Sequence, residues 1–249
     1  QIARIMAPQL AAGNVILLKH ASNVPQSAAA FEKLMQETGL PAGCFQNLYA
    51  TRDQIETIIN DPRVQGVALT GSEGAGALVA AQAGRALKKS TMELGGSDAF
   101  IVLDDADLDK AVKWAVFGRH WNGGQVCCSS KRIIVHESIH DAFVRRYTEG
   151  VAQLKAGDPM EASTTLAPLS SQQAADDVRR WIDEAVAHGA TATVIGAEVP
   201  RQGAFVRPVL LTGVKPGNPV YHHEFFGPVS MIFKVKGEEE AIRLANDSP

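Results

Sequence analysis

The stretch Val64-Gln65-Gly66-Val67-Ala68-Leu69-Thr70-Gly71, continued by residues 72–90 (SEGAGALVAAQAGRALKKS) and 91–96 (TMELGG), decides the fold class. Val67, Ala68 and Leu69 form a short apolar run between glycines and read as a strand. Residues 72–90 are rich in alanine and free of proline, so they read as a helix of small side chains. The TMEL run after them reads as another short strand. Strand, helix and strand in this order make a parallel crossover unit, because parallel neighbours need a long connection.

The alternation extends both ways. Upstream, NVILLKH reads as a buried strand, SAAAFEKLMQETG as a helix closed by Gly39, CFQNLYA as a strand and QIETIIND as a short helix ended by Pro62. Downstream, DAFIVL, KRIIVH, ATVIG, FVRPVLLTGV and GPVSMIFKV read as strands. ADLDKAVKWAVFGRH, SIHDAFVRRYTEGVAQL, QQAADDVRRWIDEAVAHG and EEEAIRLAND read as helices between and after them. This order implies an α/β fold with a mainly parallel, doubly wound sheet, which often holds nucleotides at the carboxyl ends of its strands. Gly95-Gly96 is the best boundary, giving α/β units of residues 1–94 and 95–249.

Of the 249 residues, 45% are hydrophobic and 20% charged, enough apolar material for a substantial core. A formal net charge of −3 argues against a nucleic-acid or anionic-membrane binder. No apolar run reaches the roughly eighteen residues that a membrane span needs. Three cysteines, an odd number, suggest reduced thiols and a cytoplasmic setting. QIARIMAPQL lacks the features of a secretory signal, and AIRLANDSP stops on a helix-ending turn, so the chain reads as an internal piece of a longer protein.

Several motifs could carry chemistry. GGQVCCSS places Cys127 and Cys128 side by side, a spacing that makes a strained disulfide. The pair is either two small apolar fillers or one nucleophile presented on a turn. HESIH (His136 to His140) has the spacing of zinc hydrolases, but His136 closes an apolar strand. With Ser138 and Asp141 capping the next helix, the two histidines would straddle a junction rather than share a helical face, so no metal site is assigned. In DDADLD, Lys110 stands where a calcium loop needs glycine, and Asp107 reads better as a helix cap. TGSEGAG opens a helix whose first amides could face a pyrophosphate, although its glycines match neither nucleotide-loop pattern. Glu93 and Lys19 each end an apolar strand, and either could be a solvated end.

Taken in order, VILLKHASN, ALTGS, MELGGSDAFIVLDDADLD, NGGQVCCSSKR, HEFFGPV and AIRLANDS resemble the landmark blocks of the aldehyde dehydrogenase superfamily over essentially the whole chain. Among its subgroups they are most similar to bacterial NAD(P)-dependent succinate-semialdehyde dehydrogenases. The resemblance implies a Rossmann-like cofactor-binding domain over 1–94 followed by an α/β catalytic domain over 95–249, truncated at both ends.

It also implies roles for particular residues. Cys127 would be the nucleophile, with Cys128 as a packed neighbour, and Glu93 the general base that activates water against the thioester. Lys19 would bind the adenosine ribose, and Gly71 with Ser72 the pyrophosphate. Glu224 and Phe226 would hold the nicotinamide ribose and ring. Ser22 stands where NAD-selective members often carry Glu, so NADP should be accepted as well as NAD. Arg4 resembles an arginine that succinate-semialdehyde enzymes carry after a P-W-N block, and could equally be a surface arginine at a helix start; Trp121 stands where a second familiar cation would be. The P-W-N block, which supplies the oxyanion-hole Asn, is absent. The expected partner is a small aldehyde, with no nucleic acid and no membrane, and the parent enzyme should be a homo-oligomer. The rival readings are a dehydrogenase for another aldehyde, a non-catalytic relative, and a zinc hydrolase at HESIH.

Overall fold

The structure, a computed structural model, describes residues 2–249. It opens with helix α1 (Ile2–Ala11), which carries Pro8 in its interior and which the strand–helix alternation does not predict. There follow β1 (Ile16–Lys19), α2 (Pro25–Glu37), β2 (Phe45–Leu48), α3 (Arg52–Asn60), β3 (Gly66–Thr70), α4 (Glu73–Arg85) and β4 (Lys89–Glu93). Pro25 stands at the start of α2, where its missing N–H costs nothing. These elements form the first of two compact units, which ends at Leu94.

In the first unit β1 pairs with β2 and β3 with β4, both in parallel, as two separate two-stranded sheets. The reading of NVILLKH as a buried strand needs correction: Ile16 and Leu18 are half-buried while Leu17 is exposed. Only β2 pairs with β1, so the other edge of β1 has no strand neighbour among the described residues. The helix read over 72–90 also ends early. Leu87 takes a left-handed φ of 57°, and Lys89 and Ser90 join β4 opposite Gly66 and Val67. Lys88 points back to the carbonyls of Ile59 and Asp61, closing the end of α3. Gly76 of α4 is needed for packing, since a Cβ there would collide with Leu94.

The second unit spans Gly95–Pro249. Its elements are β5 (Asp98–Val102), α5 (Leu108–His120), β6 (Ser130–His136), α6 (Glu137–Val151), α7 (Gln172–Ala187), β7 (Thr191–Val194), β8 (Val209–Thr212), β9 (Val229–Val235) and α8 (Glu238–Asn246). One five-stranded sheet runs β5-β6-β9-β8-β7, parallel except for the antiparallel edge pair β7–β8. Successive side chains of a strand point to opposite faces, and β6 buries both. Ile133 and Val135 pack with Ala115 of α5 and Phe143 of α6, while Ile134 packs with Val178 of α7 and Ala241 of α8. The strand expected over FVRPVLLTGV is shorter than its sequence. Pro208 has no N–H for a ladder, and its carbonyl accepts instead from Ile195 N at 2.8 Å.

Arg132, 3% exposed, sends its guanidinium to the carbonyls of Ser97, Leu244, Ala245 and Asp247. It thereby caps α8 from β6. The α6 junction differs from its expected form: His136, not Ser138, is the cap, its Nδ1 accepting from Ser138 N at 3.3 Å. His136 ends β6, and His140, within α6, pairs with Asp141 at 2.8 Å, so the two straddle the junction. Asp107 caps α5 by accepting from Lys110 N.

Candidate active site around Cys127

The chain leaves α5 through a 3-10 turn, Trp121–Gly124, that reverses its direction. Asn122, Gly123 and Gly124 have φ of 54°, 64° and 78°, in the left-handed region where glycine is strain-free and asparagine is tolerated. A side chain at Gly124 would also collide with the carbonyl of Gly227. The glycine pair is therefore a requirement of both conformation and close approach.

A turn follows in which Ser129 N donates to Val126 O at 3.1 Å, leaving Cys127 and Cys128 at its apex. Both thiols are free. Cys127 is half-buried and Cys128 exposed, so Cys128 is not the packed neighbour that was expected. Gln125 braces the turn from the other side: its Oε1 accepts from Ser170 N at 2.7 Å, and its Nε2 donates to Asn122 O at 3.0 Å.

Two buried cations hold this turn, and neither is evident as a site residue in the sequence. Arg119, the penultimate residue of α5, is 0% exposed. Its Nε donates to Val229 O at 2.6 Å, one Nη to Gly124 O and Ser129 Oγ, and the other to Phe225 O and Gly227 O. Five N–H groups thus meet five acceptors, which is the full capacity of a guanidinium. Burial lowers its pKa to about 10, which leaves it charged at neutral pH. Lys131, also 0% exposed, donates to Val126 O at 3.0 Å and to Cys127 O. Its Nζ lies 2.9 Å from Glu224 Oε1. That is an ion contact outside hydrogen-bonding directions, and Glu224 Oε1 has no hydrogen-bond partner among the described residues. A basic residue closing an otherwise apolar helix stretch (KWAVFGRH) or heading an all-buried strand (KRIIV) is the only sequence signal for this pair.

Glu224 lies against Gly95, where any Cβ would collide with its Oε2, and Phe226 two residues on is 45% exposed. Within the second unit, Lys131 thus links the Cys127 carbonyl to Glu224, and Arg119 holds the carbonyls of Phe225 and Gly227 on either side of Phe226. The other expected site residues stand in the first unit. Glu93 is half-buried at the carboxyl end of β4, opposite Thr70, and Gly71 N donates to its carbonyl at 3.0 Å. Ser72 caps α4, its Oγ accepting from Ala75 N at 3.4 Å. Glu93 and the Gly71-Ser72 turn are therefore neighbours. Lys19 is exposed at the carboxyl end of β1 and Ser22 is exposed just beyond it. Arg4 is an exposed residue of α1 with no ion-pair partner among the described residues.

The aldehyde dehydrogenase family model matches residues 1–249. The chain belongs to the aldehyde dehydrogenase family. Among curated proteins, this family member is 48% identical over 248 residues to the succinate-semialdehyde dehydrogenase (NADP+) of Deinococcus radiodurans, covering 100% of the chain and 52% of that relative. It is 46% identical over 246 residues to the enzyme of the same name from Mycolicibacterium paratuberculosis, covering 99% and 52%. Among solved structures, succinic semialdehyde dehydrogenase from Streptococcus pyogenes in complex with NADP+ superposes with a TM-score of 0.96 at 50% identity, covering 99% of this chain and 54% of that one. The chain thus spans about half the length of the relatives it matches. The mixed α/β architecture is that of the family. No helix among the described residues is long and apolar enough to cross a membrane.

Proposed function

We propose that the complete enzyme containing this chain oxidises succinate semialdehyde to succinate with NADP+, using Cys127 as nucleophile and Glu93 as general base. The observation that carries this reading is the Cys127 turn. A free thiol sits at the apex of a turn whose Val126 and Cys127 carbonyls are held by buried Lys131 and whose Ser129 hydroxyl is held by buried Arg119, with Glu224 against Lys131. A non-catalytic relative would require neither Cys127 nor Glu93. The names of the relatives support the substrate and the cofactor.

The residues present fit a nicotinamide nucleotide. Glu224 Oε1 is paired with the Lys131 ammonium, and the absent side chain of Gly95 leaves room for its Oε2. Glu224 would receive ribose hydroxyls and Phe226 would face the ring. Gly71, Ser72 and the amides at the start of α4 suit a pyrophosphate. Lys19 would take the adenosine ribose. At Ser22 no carboxylate opposes a 2′-phosphate. Bound NADP+ supplies the acceptor for a hydride.

The thiolate of Cys127 adds to the aldehyde carbon and makes a C–S bond, placing charge on the former carbonyl oxygen. The amide of Cys127, which has no backbone hydrogen-bond partner among the described residues, is a donor for that oxyanion. Loss of hydride from the adduct leaves a thioester on Sγ. Glu93 then takes a proton from water as the oxygen attacks the acyl carbon. The C–S bond breaks, the acid leaves, and Cys127 is again a thiolate.

The test is steady-state oxidation of a panel of aldehydes by the complete enzyme, with NADP+ and NAD+ in parallel. Succinate semialdehyde should be preferred and NADP+ used at least as well as NAD+. Arg4→Ala should raise KM for succinate semialdehyde about tenfold, the scale of one lost charge-assisted contact, while sparing butanal. Equal losses on both substrates would make Arg4 structural. No oxidation of any aldehyde would overturn the reading.

A further inference from the structure

Of the two buried cations, only Lys131 touches both the nucleophile turn and a carboxylate. Arg119 spends all five N–H groups on neutral acceptors, and its links to Gly124, Phe225, Gly227 and Val229 form a fixed frame. Lys131 is placed differently. Its ammonium meets three oxygens: the carbonyls of Val126 and Cys127, which take two of its three hydrogens, and Glu224 Oε1 at 2.9 Å. The lysine is 0% exposed and the glutamate 24% exposed, so the contact is only partly screened by water. Glu224 has no other ion-pair partner among the described residues, and its Oε2 occupies the space that a side chain at Gly95 would fill. The carboxylate's rotamer is therefore tied, through one ammonium, to the backbone that carries Cys127.

We propose that Lys131 is a positioning residue that couples the Glu224 carboxylate to the Cys127 turn, so that the group receiving the nicotinamide ribose and the nucleophile are held in register by a single side chain. The inference rests on the assignment of Glu224 to the nicotinamide ribose and Cys127 to nucleophilic attack. Lys131 touches no reacting atom. It acts by fixing Glu224 on one side and the Val126 and Cys127 carbonyls on the other. Removing its charge frees the carboxylate to leave its position and leaves two carbonyls without a donor. The consequence should fall on the use of the nucleotide, and it should be carried through Glu224.

The test is a double-mutant cycle in the complete enzyme, reading the Kd for NADP+ by fluorescence titration without aldehyde, beside KM for NADP+, with Lys131→Met, Glu224→Gln and the pair. Each single change should raise both about tenfold, the scale of one lost charged contact, and the double change no more than the larger single one. Lys131→Arg, which keeps the charge, should restore most of the lost affinity. If the single effects multiply to about a hundredfold in the pair, Lys131 acts independently of Glu224 and the inference is overturned. If Glu224→Gln leaves KM unchanged, the assignment of Glu224 itself fails, and the coupling with it. Lys131→Gln keeps an N–H for the turn and runs the same cycle should the methionine variant not fold.

Discussion

At the scale of single residues, two buried basic groups show how chemistry constrains the site. Arg119 satisfies five acceptors, whereas a lysine offers three donors from a point charge. Arg119→Lys should therefore leave about two buried acceptors unpaired, at about 1–3 kcal/mol each, and lower the thermal midpoint by several degrees. An unchanged midpoint would show that the guanidinium network contributes little. His120, next to it, is buried, and desolvation lowers its pKa to about 3, with the Arg119 charge adding to the effect. In the unfolded chain it titrates near 6.5. Between those values the unfolded state binds the extra proton, so the stability contribution is full above the unfolded value. It is lost as pH falls toward the folded one, at about 1.4 kcal/mol per pH unit. Thermal midpoints of the wild type should accordingly fall more steeply from pH 6 to pH 4 than those of His120→Gln. Parallel slopes would contradict a neutral buried imidazole.

At the scale of elements, the 121–129 segment is built from backbone conformation as much as from side chains. Gly124→Ala adds a Cβ at a φ of 78° and against the Gly227 carbonyl. It should displace the Cys127 turn and cost about a hundredfold in kcat, the scale of an ångström-sized misplacement. Gly43→Ala is the control: its φ is 88°, but the space around it is open, so the cost should be confined to about 1–2 kcal/mol of stability. Equal kinetic losses in the two variants would argue against a specific approach at Gly124. The elements themselves were largely legible. Short apolar runs became strands, Asp107 capped its helix, and Gly39 took the left-handed conformation that closes one. Element limits were less so, because Leu87 turns the chain in a conformation that non-glycine residues seldom announce, and because Pro208 shortens β8. The nucleophile's turn could be read from its glycines. The cations beneath it were barely so, because their place beside apolar runs is the only local sign of burial by residues about a hundred positions away.

At the scale of the whole molecule, two compact units divide the assigned work. The first carries Lys19, Ser22, Gly71, Ser72 and Glu93 at or near the carboxyl ends of its parallel strands, where open α/β sheets collect ligands. The second builds the thiol turn on a sheet buried on both faces. On the proposed chemistry, acylation belongs to the second unit and deacylation needs Glu93 of the first. The most direct measurement mixes the complete Glu93→Gln enzyme with succinate semialdehyde and NADP+, and maps covalent adducts by peptide mass spectrometry after acid quench. The account predicts one succinyl group on Cys127, accumulating with a burst of NADPH while steady turnover falls about a hundredfold or more. An adduct on Cys128 or Cys44, or no adduct with burst and turnover lost together, would contradict it.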